Sequence, residues 1–340
     1  MSRIPDHILV IRLSALGDVA MLVPVIRQLT KNFPHLKITV LTRPFFSPLF
    51  NEFENVNVMA ADVESVHKWL SGLWKLSREI KTQKLDAVAD CHEVLRSRIL
   101  KLFSGIKPWI YIDKGRNEKK LLISGKKFEP LKTTHQRYVE VFEKLGFNID
   151  LSDPMFPPKP DLPKAHKSLE TSKPLIGIAP FAAFPTKAYP LGLMKEVIEG
   201  LKGLGTVILF GGGSEEIRQM KELSALFDHV NSIAGSVSFA DELKIIRNLD
   251  LMLSMDSGNA HLAAAYGVET ITLWGVTHPF AGFAPFNQEP ENALLADRIA
   301  FPEIPTSIYG NKAPAGYEVA IASITSREII DKIKEKLIQA

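Results

Sequence analysis

The chain has 340 residues, 46% of them hydrophobic, which is more than one ordinary core uses and points to two domains. Its 41 basic and 38 acidic residues leave a formal charge of +3, too little for a protein that coats nucleic acid by neutralising phosphates. Cys91 is the only cysteine, so no internal disulfide can form, and there is neither a zinc spacing nor an apolar run near the ~20 residues of a membrane span. With no secretory leader at the N-terminus, a cytoplasmic location is expected.

In chain order, apolar β-branched runs predict strands at 7–13, 36–41, 56–59 and 85–89, with helices at 19–32 and 63–81. Strands that read as continuous apolar runs belong in a parallel sheet covered on both faces. The stretch from Asp153 to Pro163 holds five prolines and reads as a stiff extended connector. The βα rhythm then restarts, with strands at 175–179, 206–210, 249–254 and 270–274. Helices are expected at 191–202, 215–226, 239–248 and 258–266. The expected division is an N-terminal Rossmann-like domain over 1–155, a linker over 156–172, a second Rossmann-like domain over 173–325, and a terminal helix over 326–340 that returns to the first domain.

Ligands of open α/β sheets bind at the carboxyl ends of the strands, so the residues just after each strand are the candidates for chemistry. The first strand leads into Arg12-Leu-Ser-Ala-Leu-Gly-Asp-Val19, whose single Gly17 is too few for a dinucleotide fingerprint. Asp18 there reads either as a general base for an incoming hydroxyl or as a helix cap. Lys187 follows the strand at 175–179 and stands where a phosphate would be met. At 210–216 a glycine turn around Gly212 precedes Glu215 and Glu216, which suit ribose hydroxyls or the positive end of a helix. Asp256-Ser-Gly-Asn259 opens a small-residue helix whose free N–H groups make an anion site for a diphosphate, with His261 following. From Lys114 to Arg137 there are eight basic residues against Glu118 and Glu129, either a solvated face or a site for an anionic acceptor or lipid leaflet.

Together these motifs resemble the ADP-heptose:lipopolysaccharide heptosyltransferase family, glycosyltransferase family 9, of GT-B fold. The resemblance runs from Arg12–Val19 through Asp90 with Leu95-Arg-Ser97, His135 with Leu145-Gly146, Lys187-Ala-Tyr-Pro190, Gly211–Glu216 and Asp256–His261 to Trp274-Gly-Val-Thr277. Tyr189 stands where the family carries tryptophan. The resemblance implies an α/β fold of two doubly wound domains facing a central cleft. It also implies inverting transfer of a heptose or related sugar from a nucleotide diphosphate donor, ADP-heptose, to an inner-core lipopolysaccharide acceptor. By the same resemblance Asp18 is the base and Lys187 a catalytic cation. Thr186, Lys187, Gly212, Glu215, Glu216, Asp256, Ser257, Gly258, Asn259 and His261 hold the donor, and Ser14, Gly17, Arg96, Arg116 and Arg137 the acceptor. No Asp-x-Asp motif is present, so neither a metal nor a cofactor besides the ADP-sugar co-substrate is expected. The expected partners are the donor, an anionic lipid-linked oligosaccharide and the inner membrane surface, with no nucleic acid. A nucleotide-sugar epimerase of the same fold and a non-catalytic nucleotide-sugar sensor are the competing readings.

Overall fold

The structure, a computed structural model, describes residues 4–171 and 174–339. Two compact units emerge, one of 1–114 with 134–155, the other of 115–133 with 156–340.

The first unit runs β1 (His7–Ile11), α1 (Leu16–Asn32), β2 (Lys37–Thr42), β3 (Val56–Ala60), α2 (Leu70–Thr82), β4 (Ala87–Asp90), α3 (Leu95–Ser104) and β5 (Trp109–Tyr111). After α4 (Arg116–Ile123), which belongs to the other unit, α5 (Thr134–Glu143) returns and packs on α1. The strands form one parallel sheet in the order β3-β2-β1-β4-β5. Leu9 and Ile11 of β1, Val88 of β4, Leu73, Leu76 and Ile80 of α2 and Leu100 of α3 share one buried cluster, so α2 and α3 cover the same face of the sheet. Residues 63–69, expected as the start of a helix, instead form turns and bends. The Asp62 carboxylate accepts the backbone N–H groups of Glu64 and Ser65, an arrangement that competes with helix formation.

The second unit contains β6 (Leu175–Ala179), α6 (Leu191–Gly200), β7 (Thr206–Leu209), α7 (Ser214–Ser224), β8 (Val230–Ser232), α8 (Phe239–Asn248), β9 (Leu251–Met255), α9 (Gly258–Ala265), β10 (Glu269–Trp274), β11 (Ala293–Leu295) and α10 (Ser326–Gln339). Its six strands are parallel in the order β11-β10-β9-β6-β7-β8.

Three boundaries differ from the sequence reading. Residues 115–133 interrupt the expected first domain because Phe128 packs edge-on to His278, lies against Phe280 and lies under the Arg298 guanidinium at 3.7 Å, while the Leu131 N–H donates to the Phe280 carbonyl. The proline-rich stretch is fastened to the second unit, with Arg247 donating to Pro158 O, Asn248 to Pro160 O, and Lys159 paired with Asp250. The expected linker end at Ser172 and domain start at Lys173 lie outside the described residues. The terminal helix, expected to return to the first domain, packs on α6 instead. Ile329 and Ile333 enter the second unit's core, and the Ile330 side chain fills the space above Gly200. Among the described residues no helix is long and apolar enough to cross a membrane.

Candidate active site

In each unit the chain reverses its direction of winding next to its first strand. The crevice of an open α/β sheet opens at such a switch point. In the first unit this lies between β1 and β4, in the second between β6 and β9.

At the first switch point, Arg12 leaves β1 buried and sends one Nη to the Cys91 carbonyl at 2.7 Å and the other to Asp18 Oδ2 at 2.7 Å. Asp18 is the third residue of α1, and its Oδ2 also accepts the Ala15 N–H at 3.2 Å. The helix cap and the candidate base are therefore one group. Oδ1 has no hydrogen-bond partner among the described residues, and about a quarter of the side chain is exposed. The buried Tyr138 hydroxyl donates to the Asp18 carbonyl at 3.0 Å, tying α5 to the start of α1.

The β4 side of the switch point is organised by Asp90. Its buried carboxylate accepts the His92 and Glu93 N–H groups at 3.0 and 2.7 Å and the Trp109 indole N–H at 3.3 Å. That turn presents His92 to the Asp18 loop. His92 Nδ1 accepts the Leu13 N–H at 3.4 Å, and Nε2 lies 3.5 Å from the Ser14 hydroxyl. Burial, with the positive charges of Arg12 and Lys114, pushes the His92 pKa down to about 3, so the ring is neutral at physiological pH. A cavity of about 480 Å³ opens beside it, lined by Ser14, His92, Trp69, Leu70, Leu95 and Arg96 among others.

At the second switch point the loop after β6 brings Lys187 to the end of β9. Lys187 is buried, and its Nζ donates to Asp256 Oδ2 at 3.2 Å. The same oxygen accepts the Thr277 hydroxyl, from the loop after β10, at 2.8 Å. Buried pairs persist when further hydrogen bonds satisfy the remaining polar atoms, and Thr277 provides one here. The stem of Lys187 lies against Gly310, where a Cβ would meet its Cγ and Cδ at 2.6 Å, and the Thr186 hydroxyl donates to the Gly310 carbonyl. Ser257 is the residue before α9, its hydroxyl 3.0 Å from that of Ser254 and not bonded to the helix, and Gly258 and Asn259 follow with N–H groups at the helix start. His261 is buried one turn on.

Other sequence candidates have local duties. Glu216 Oε2 accepts the Gly212 N–H at 2.8 Å, closing the glycine turn. Glu215 is held by Arg218 and Gln219 of its own helix, whose hydrogen bonds bring its pKa down to about 2. Gly17 sits in the first turn of α1. Ser14 and Arg96 share the first unit's cavity, whereas Arg116 is exposed on α4 in the second unit, and Arg137 is buried and donates to the Asp113 carbonyl at 3.2 Å. The basic run is thus divided between the units. Tyr189 is a core residue: its hydroxyl donates to the Ile324 carbonyl at 2.7 Å and burial raises its pKa to about 12. Arg12, His92 and Thr277 were not among the sequence candidates. An arginine closing a buried strand and a histidine two residues after a strand-terminal aspartate were the available signals. Among the described residues no group of three or more His, Cys, Asp or Glu is placed to hold a metal.

Comparisons with known proteins bear on the fold and the family. The lipooligosaccharide heptosyltransferase 2 of Haemophilus influenzae is 27% identical over 358 aligned positions, covering 97% of this chain and 99% of that protein. The solved family 9 glycosyl transferase of Veillonella parvula superposes with a TM-score of 0.75 at 19% identity, over 98% of both chains. An Escherichia coli heptosyltransferase structure, WaaC with ADP, gives 0.67 at 18% identity over 98% of this chain and all of that one. At such identities the structures establish the GT-B fold. The profile of glycosyltransferase family 9 (heptosyltransferase) matches residues 73–304, a span that includes Lys187, Asp256 and Thr277. The chain belongs to that family and is a glycosyltransferase.

Proposed function

We propose that the protein transfers a heptose from ADP-heptose, with inversion, to the inner core of a lipopolysaccharide acceptor presented at an anionic membrane surface. What carries the reading is the family match across the segment that holds the Lys187–Asp256–Thr277 cluster. In this reading the acceptor hydroxyl meets Asp18. Its oxygen bonds to the anomeric carbon as the bond from that carbon to the diphosphate breaks, and Asp18 takes the proton. Arg12 pairs with the carboxylate at 2.7 Å and fixes its position. A modest base suffices, because an oxocarbenium-like transition state develops positive charge on the sugar before the hydroxyl must lose its proton. Neutral His92 and Ser14 orient the acceptor. Lys187 and the amides at the start of α9 receive the charge that grows on the departing ADP, acting as preorganised electrostatics.

The test is turnover of ADP-heptose on a heptose-deficient core acceptor, read as ADP release and as the anomeric configuration of the product by NMR, with and without magnesium. Asp18→Asn should lower kcat by at least about a hundredfold while ADP binding stays at the wild-type value. An Asp18→Asn enzyme with near wild-type turnover would remove Asp18 from the role. Release of the free sugar epimer with no glycosylated product would replace transfer by epimerisation.

A further inference from the structure

We infer that the outer face of α2 and α3 is a docking surface for an anionic lipid bilayer. The inference rests on the reading that the acceptor is lipid-linked. Helices that cover a sheet ordinarily turn charged and polar side chains outward. Here the outward positions hold large apolar groups: Trp69 is 70% exposed, Leu70 63%, Trp74 54%, Leu95 74% and Leu102 78%. On α2 the spacing of Leu70, Trp74 and Arg78 by four residues makes one stripe, and on α3 Leu95 and Leu102 stand two turns apart on another. The two helices pack together, so the stripes are neighbours. Isolated exposed leucines need no explanation, whereas four large apolar side chains on one pair of helices and a fifth at the cap of the first do.

The charge of this face selects the occupant. Within α2 and α3 there are six Lys or Arg residues and one acid, Glu79. Lys68 lies over the Trp69 ring at 5.2 Å and Arg78 over Trp74 at 5.3 Å. Indoles beside long basic chains suit the bilayer interface, where the ring sits at headgroup depth and the cation reaches lipid phosphates. The surface is also continuous with the chemistry. Trp69, Leu70 and Leu95 line the cavity that contains Ser14 and His92, so a bilayer on this face would deliver a lipid-linked sugar beside Asp18.

The experiment is sedimentation of the full-length protein with vesicles of phosphatidylcholine alone or containing about a third phosphatidylglycerol, without acceptor or donor. The variants are Trp74→Ser/Leu102→Ser, at positions outside the cavity, and Lys119→Glu/Lys120→Glu on α4, with folding checked by circular dichroism. The wild type should prefer the anionic vesicles, and partitioning should weaken at least about tenfold in the first variant and by much less in the second. Wild-type protein that ignores vesicles, shows no preference for anionic lipid, or loses binding only in the α4 variant would overturn the assignment. A concentration-dependent dimer abolished by Trp74→Ser/Leu102→Ser, with no vesicle binding, would give the face to a second copy instead. Because plain vesicles need no transfer chemistry, this result stands apart from the turnover assay.

Discussion

Gly310→Ala isolates the positioning of Lys187 from its chemistry. Gly310 has φ +83°, a conformation that an L-residue adopts at a cost of about 1–2 kcal/mol, and its new methyl would lie 2.6 Å from Lys187 Cγ and Cδ. The loop cannot simply retreat, because the Gly310 carbonyl accepts the Thr186 hydroxyl and its N–H donates to Ser307 Oγ at 3.1 Å. Relief therefore falls on the lysine stem, and moving it by about an ångström breaks the 3.2 Å contact to Asp256. A charge-assisted hydrogen bond to a diphosphate contributes about 1.5–3 kcal/mol, so ADP should bind roughly 10- to 150-fold more weakly. The control is Gly316→Ala, at φ +85° with open space around its Cβ, which carries similar backbone strain without touching Lys187. Calorimetric titration of ADP into both variants and the wild type decides the matter. If Gly310→Ala weakens ADP no more than Gly316→Ala does, Lys187 is not a donor ligand held by this loop.

Two further outcomes follow from the site's supports. Tyr189→Phe removes the donor to the buried Ile324 carbonyl and should lower stability by about 1–2 kcal/mol in chemical denaturation with little change in ADP affinity, since the hydroxyl braces the loop away from the ligand. His278 is buried, accepts the Phe280 N–H on Nδ1, and has its pKa pushed down to about 4 by burial and by Arg298. The fold therefore prefers the neutral ring. Its contribution is fully present above the ordinary pKa of 6.5 and is lost as pH falls towards 4, at up to about 1.4 kcal/mol per pH unit. His278→Gln should flatten the acid limb of the stability profile over that window, leaving the part due to His92. An unchanged limb would mean that His278 is protonated without penalty in the folded protein.

How far the site could be read in advance depended on whether its signals lie within one segment or between segments. Buried parallel strands are written as short apolar runs, so β6 appears at its observed limits and α8 likewise, with Ser238 capping the helix through the Asp241 N–H. Strands at the sheet margins left weaker traces: β5, β8 and β11 have three residues each, too few for a periodicity to register. Strand order is not a local property, and it is strand order that puts Lys187 beside Asp256 and Arg12 beside Cys91. Read singly, Lys187 resembles any loop lysine and Asp256 any helix cap. Only at a switch point do they become a buried pair with Thr277 as third member, and the sequence marks Thr277 only as the end of a family-like motif with no chemical role attached. The same limit explains Arg137, which the basic run made a candidate for the acceptor. Charge can be counted along a chain, but burial depends on what packs against it, and α5 turns Arg137 inward to the Asp113 carbonyl. The exposed Trp74 of α2 and Trp69, the cap residue just before it, reverse the case. Their helical periodicity was visible as an amphipathic pattern, yet which apolar positions face the sheet and which face outward is decided by the register of α2 against β1 and β4, and that decision leaves Trp69 and Trp74 for a partner.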